Sequence, residues 1–230
     1  MSTLRKLLGS ATLLLVLGSA LWAGDISGVV RARPAEGAAN AAAAGGNYEK
    51  RSLRHLEKID YDSFRDFVVY IDRIQAPATD GTRPHATVLQ KDGEFVPHIL
   101  PVVAGSEVEW SNMDDIYHNV FSMADACSFD LGLYKRGDES KVTRCDIPGR
   151  VDVFCSIHTR MSCVVLVVPN PWFALTGPGG RYTIKNIPAG AYRLKAWHER
   201  LPAQVREIVV PTEGAVTADF TLGLGQKPSN

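Results

Sequence analysis

Surplus charge is missing from this 230-residue sequence, in which 25 Lys and Arg stand against 25 Asp and Glu. That balance gives no reason to expect nucleic acid or another polyanion as a partner. Long apolar runs are missing too. The best candidate, Leu13 to Leu17 within "SATLLLVLGS", is too short and too interrupted by Gly and Ser for a comfortable membrane span. No Cys follows that run, which argues against a lipid-anchored start. There is no C-x-x-C-H, so covalently attached haem is disfavoured. Cysteine is limited to Cys127, Cys145, Cys155 and Cys163.

What is present begins with an export signal. Arg5 and Lys6 precede the apolar run, and Gly18, Ser19 and Ala20 follow it, which are the three parts of a secretory signal peptide. Cleavage is expected after Ala23, with Ala20 as the other candidate. The chain is then periplasmic or secreted and has no integral membrane segment. Losing Arg5 and Lys6 leaves 23 basic against 25 acidic side chains. Disulfides persist in such a compartment.

The remainder reads as all-β. An apolar fraction of 45% with 22% charged residues is that of a globular protein able to bury a core. "DISGVV" and "DFVVYIDRI" are short strand-like runs. Between them lie the low-complexity stretch "AEGAANAAAAGG" and "EKRSLRHLEKI", which reads as a short surface helix or an irregular loop. From His85 onward strands alternate with turn signals such as "KDG" and "IPGR". "CVVLVV" is apolar without interruption, so both faces of that strand need cover. A second set of strands follows "PNP" and runs to Leu222. The expected architecture is two β-sandwiches. Residues 1–23 form the leader, 24–76 carry the first strands, 77–168 form the central unit, 169–224 complete the outer one, and 225–230 are a tail.

"CSIHTRM" places Cys155, His158 and Met161 in one tight loop. Thiolate and thioether suit soft metal ions, and imidazole suits copper, zinc, iron and nickel. The remaining histidines are His55, His85, His98, His118 and His198. Loops at one end of a sandwich converge, and "VEWSNMDDIYHNVFS" sets His118 where a loop re-enters a strand, 37 residues before Cys155. His118, Cys155, His158 and Met161 are the donor set of a blue-copper site, with the thioether long and axial. Structural zinc sites do not use Met. Each residue has a plainer explanation, as a disulfide half, a surface His or a core Met, but those explanations do not account for the four together. With Cys155 as a ligand, at most one internal disulfide remains. Sequence does not fix it, although Cys127 with Cys145 is favoured, which leaves Cys163 in a strand.

"FVPHILPVVAGSEVEWSNMDDIYHNVFS" and "PGRVDVFCSIHTRM" resemble the cupredoxins, and the C-x-x-H-x-x-M spacing is that of amicyanin. The resemblance covers roughly residues 84 to 168. It implies a Greek-key sandwich, one type 1 copper cycling between Cu(I) and Cu(II), and electron transfer through the more exposed His158. It also implies a hydrogen bond between Asn119 and Ser156 across the two ligand loops. The chain departs from that pattern at Ile157, Thr159 and Arg160, where amicyanin-like loops carry prolines. Arg160 would favour an acidic partner surface, or would be held by Asp114 or Asp115. Residues 173–222, with "ISGVV" and "FVVYID", resemble the carboxypeptidase regulatory-like domain. This suggests that the cupredoxin unit is inserted into it; tandem domains are the alternative.

The expected function is therefore one-electron carriage, not enzyme activity, with an exported redox partner such as a c-type cytochrome or a periplasmic dehydrogenase. Copper handling or sensing, and an interaction module carrying a cupredoxin unit, are the other readings. Trp197, His198 and Glu199 form the remaining suggestive cluster and read as a structural His–Glu pair.

Overall fold

The computed structural model describes residues 23–34, 60–74 and 84–223. The expected leader 1–23 apart from Ala23, the low-complexity stretch 35–46, the expected helix within 49–59 and the tail 225–230 lie outside the described residues. Ala23 itself opens the first strand, opposite Pro188.

The described chain is all-β. β1 (Ala23–Ala32) and β2 (Val68–Asp72) come first. A central series follows: β3 (His85–Lys91), β4 (Glu94–Val96), β5 (Ile99–Val103), β6 (Glu107–Asn112), β7 (His118–Ala124), β8 (Cys127–Tyr134), β9 (Lys141–Arg144), β10 (Gly149–Phe154) and β11 (Ser162–Val168). The chain closes with β12 (Phe173–Leu175), β13 (Arg181–Pro188), β14 (Gly190–His198), β15 (Leu201–Val210), β16 (Ala215–Thr217) and β17 (Phe220–Leu222). Single 3-10 turns at Tyr61–Ser63 and Pro178–Gly180 are the helical exceptions among the described residues.

These strands make four sheets stacked face to face. The first has the order β13-β1-β16, with β17 also on β1, and the second has the order β12-β2-β14-β15. The third runs β5-β11-β10-β7-β8 and the fourth β4-β3-β6-β9. Ile26, Ile187 and Phe220 meet Ile71, Leu194 and Val210 between the first two. Val88, Val108 and Trp110 meet Val151, Val153 and Val165 between the last two. β1 pairs with β13, and β2 pairs with β12 and β14, so strands from before the central series share sheets with strands from after it.

β11 explains how the two sandwiches join. Its Cys163, Val165 and Val167 point into the core around Trp110. Its Val164, Leu166 and Val168 point the other way and pack with Val68 and Tyr70 of β2. Side chains alternate across a strand, so an unbroken apolar run buries both faces. Each such side chain contributes about 1.5–3 kcal/mol by leaving water. The second sheet is thus the cover that β11 requires.

Two local features fix the ends of this sandwich. Asp92 and Gly93 link β3 to β4 in a two-residue turn with φ of 56° and 75°. Both values fall in the left-handed region that such hairpin turns demand, which suits Asp-Gly. A disulfide joins Cys127 to Cys145, as favoured from sequence, and Cys163 is a buried free thiol in β11. Burial, followed by the nearby Asp152 charge, pushes the Cys163 thiol well above its ordinary range.

Candidate metal centre

The chain enters the centre through the loop between β6 and β7. Asn112 shapes it: its Oδ1 accepts from Asp114 N at 2.8 Å, while its Nδ2 donates to Ile116 O and Tyr134 O. An Asx turn of this kind satisfies a loop that has no ladder. The loop delivers His118 as the first residue of β7, fully buried, across from Tyr134.

The second loop joins β10 to β11. Met161 N donates to His158 O at 2.9 Å and Cys155 N donates to Met161 O at 3.1 Å, which closes residues 155–161 into one compact turn. Cys155 and Met161 are buried, and His158 keeps part of its surface. Met161 belongs to the same core cluster as Cys155 and Val120.

His118, Cys155 and His158 converge. The two Nδ1 atoms are 3.0 Å apart, and Cys155 Sγ lies 4.0 Å from His118 Nδ1 and 3.6 Å from His158 Nδ1. An ion held at about 2.0–2.3 Å by three donors in a plane needs edges of roughly 3.5–3.7 Å. The Cys155–His158 edge is of that size, the Cys155–His118 edge is longer and the imidazole–imidazole edge shorter, and the donors are those of a trigonal copper site. The residues therefore fit the ion that the donor chemistry implies, with Met161 as the remaining soft donor in the loop.

The surroundings orient each donor. His118 Nε2 faces Asp114 Oδ2 at 2.9 Å, which places the proton on Nε2 and leaves the Nδ1 lone pair toward Cys155. Asp114 also accepts from Asp92 N at 2.8 Å and Gly93 N at 3.0 Å, the free amides of the hairpin turn. Burial would raise the Asp114 carboxyl, but the hydrogen bonds from Gly93, His118 and Asp92 outweigh it and hold the group below its ordinary value. Asn119 N donates to Cys155 Sγ at 3.5 Å. Asn119 Oδ1 accepts from Ser156 N at 3.3 Å, so the two ligand loops are joined through the pair that the resemblance implies. Asn119 Nδ2 in turn donates to Asp130 at 2.7 Å. Tyr134 is raised to about 12, first by burial and further by the Cys155 charge, with Gln90 opposing.

Several sequence expectations need correction. Arg160 is exposed and ties to neither acidic residue: Asp114 is engaged as above, and Asp115 pairs with Arg136 at 3.2 Å. The reason is reach, because Arg136 at the end of β8 lies against the same loop, with its guanidinium on Met113 O. His198 and Glu199 do not pair with each other. His198 Nδ1 accepts from Arg200 N, its ring packs on Phe64 and Phe67, and Glu199 meets His98 Nε2 at 3.0 Å. His98 also contacts Ser162 O at 3.1 Å, beside Met161. Asp114 is the site residue whose role sequence reasoning missed. Its position four residues before His118, next to an acidic neighbour, was the available signal.

No family model matches the chain, and no curated protein matches it. Its neighbours among solved structures include cupredoxins and a copper enzyme. The purple cupredoxin from Nitrosopumilus maritimus is 22% identical over 36% of this chain and 98% of its own, with a TM-score of 0.32. Amicyanin from Paracoccus versutus is 20% identical over 43% of this chain and 96% of its own, with a TM-score of 0.34. The copper-containing nitrite reductase from Thermus scotoductus SA-01 is 22% identical over 44% of this chain, at a TM-score of 0.35, and the match spans 25% of that enzyme. At TM-scores below 0.5 these are distant likenesses, and the chemistry of the site rests on the triangle formed by His118, Cys155 and His158.

Proposed function

We propose that the chain is an exported type 1 copper protein that carries single electrons between redox partners. The observation that supports this most directly is the buried His118–Cys155–His158 triangle, with edges of 3.0 to 4.0 Å and Met161 in the same closed loop. Copper would supply one-electron exchange between Cu(I) and Cu(II). His118, Cys155 and His158 would hold it, with Met161 as a further soft donor from the same loop. Asp114 and Asn119 hold His118 and Cys155 in place, so the donors need not move between oxidation states. One such His/Cys group occurs among the described residues, which suits carriage better than a multicopper reaction.

His158 is the partly exposed donor, and the surface around it supports a docking role. Ile116, Tyr117 and Ile157, each about half exposed, lie on the two ligand loops, with Lys135 Nζ 5.4 Å from the Tyr117 ring and Arg160 close by in sequence. Such a face suits an exported partner with an apolar contact patch and acidic surroundings, a c-type cytochrome or a periplasmic dehydrogenase. We read the other sandwich as a regulatory-like domain, into which the metal-bearing unit is inserted. The pairing of β1 with β13 and of β2 with β14 supports that reading.

Adding Cu(II) to the purified protein is the test. An intense visible thiolate-to-copper band, at one copper per chain, is expected, and Cys155→Ser should abolish it. A colourless complex of the unaltered protein, or a band that survives Cys155→Ser, would sink the assignment.

A further inference from the structure

A second site lies where the two sandwiches meet. A cleft of about 460 Å³ opens between the β2–β14 sheet and the far ends of β10 and β11. That volume lies within the range of small-molecule sites. Leu166, Pro148 and Pro169 form one wall, and Tyr70, Lys195 and Trp197 the other. Lys195 and Trp197 are two residues apart on β14 and so share a face. Tyr70 stands opposite Lys195 in the ladder, and the Lys195 ammonium is 5.7 Å from its ring centroid.

The polar groups of this wall are donors without hydrogen-bond partners among the described residues. Among the described residues, the Tyr70 hydroxyl and the Trp197 indole N–H make no hydrogen bond, and Lys195 has no carboxylate. Neither the hydroxyl nor the indole nitrogen is among the sealed, unpaired atoms of the described residues. Burial first, and then the Asp72 charge, keeps the Tyr70 phenol protonated and therefore able to donate. The acidic groups at the rim are occupied. Asp72 faces both Arg73 at 3.5 Å and Arg193 at 3.7 Å, while Asp152 takes the Arg150 guanidinium through both its oxygens. Arg150 Nη1 also donates to Glu199 O at 2.8 Å. One uncompensated ammonium, two free neutral donors and apolar walls are thus left facing a common space.

We propose that this cleft binds a small planar carboxylate of the aromatic-acid class, its anionic group on Lys195 and its ring against Leu166 and Trp197. A charge-assisted hydrogen bond inside a partly dry cleft fixes the acid group. A single uncompensated cation suits one negative charge and not a polyphosphate. The site is separate from the metal centre, because it sits at the Gly149 end of β10 whereas Cys155 follows Phe154 at the other end. The six-residue strand puts the two roughly 20 Å apart.

Full-length protein can be titrated with 2-naphthoate, with the neutral 2-naphthylmethanol and with the cationic 2-naphthylmethylamine, each followed calorimetrically. One saturable 2-naphthoate site per chain is expected, with weaker binding of the alcohol and weaker still of the amine. Lys195→Met should weaken 2-naphthoate about tenfold, the loss of one charge-assisted contact, and leave the alcohol unchanged. Should Lys195→Met fail to fold, Tyr70→Phe is the second variant and should weaken 2-naphthoate several-fold. Lys135→Met, on the metal-end surface, should do nothing. No saturable 2-naphthoate binding at millimolar concentration, equal affinity for all three probes, or equal effects of Lys195→Met and Lys135→Met would each overturn the proposal.

Discussion

Asp114 receives hydrogen bonds from Asp92 N, Gly93 N and His118 Nε2 through two carboxylate oxygens. The hairpin turn thereby fixes the carboxylate, and the carboxylate fixes an imidazole. Outer groups of this kind usually change metal affinity by about 10- to 100-fold when removed. Asp114→Ala should therefore weaken copper binding by about that factor while leaving the visible band in place, measured by competition with a chelator of known affinity. Unchanged affinity would mean that burial alone holds His118. Met161 acts differently. A weak axial thioether mainly tunes potential, so Met161→Leu should keep the colour and raise the midpoint potential in a redox titration. Loss of all copper binding would show that Met161 is a principal ligand. At this scale the donor loop was legible, because Cys155, His158 and Met161 share one turn and local spacing suffices. The Asp114 role was not, because it depends on a hairpin 21 and 22 residues away.

Two elements, β7 and β10, hold the centre, and the Cys127–Cys145 disulfide lies at the other end of the same sandwich. Cys127 opposes Ala124, the last residue of β7, whereas His118 is the first. Cys127 opens β8 and Cys145 follows β9, so the bond staples the third sheet to the fourth. Its residues are 18 apart, and closing a loop of that length stabilises by about 3 kcal/mol in the chain-entropy account. Replacing both cysteines with alanine should lower the melting temperature in calorimetry and leave the copper spectrum unchanged. A bleached band in the double variant would show that the staple reaches the metal end. The Glu199–His98 contact illustrates the reverse case. Two residues 101 apart meet because one sandwich docks on the other, which no local pattern announces.

At the largest scale, the described residues form a stack of four sheets in which β1 and β2 are central. β13, β16 and β17 all pair with β1, and β12 and β14 flank β2. A chain of residues 169–230 alone lacks both strands and should show no cooperative thermal transition by circular dichroism. Cooperative melting of that piece would mean that it can build a core without them. The same layering seals Val164, Leu166 and Val168 between the sandwiches and creates the cleft beside Tyr70 and Lys195.

The amino-acid sequence alone determined what depends on short range. Strand alternation, the Asp-Gly turn, the two-sided apolar strand from Cys163 to Val168 and the soft donors from Cys155 to Met161 are each written within a few residues. Tertiary structure decided what depends on distant surfaces meeting. It set Asp114 under the β3–β4 turn, gave Asp115 to Arg136 and so left Arg160 free of both, moved Glu199 from its sequence neighbour to His98, and left Lys195 without a carboxylate. A side chain's hydrogen-bond and charge partners are chosen by whichever backbone arrives nearest, and that is settled only when the sheets stack.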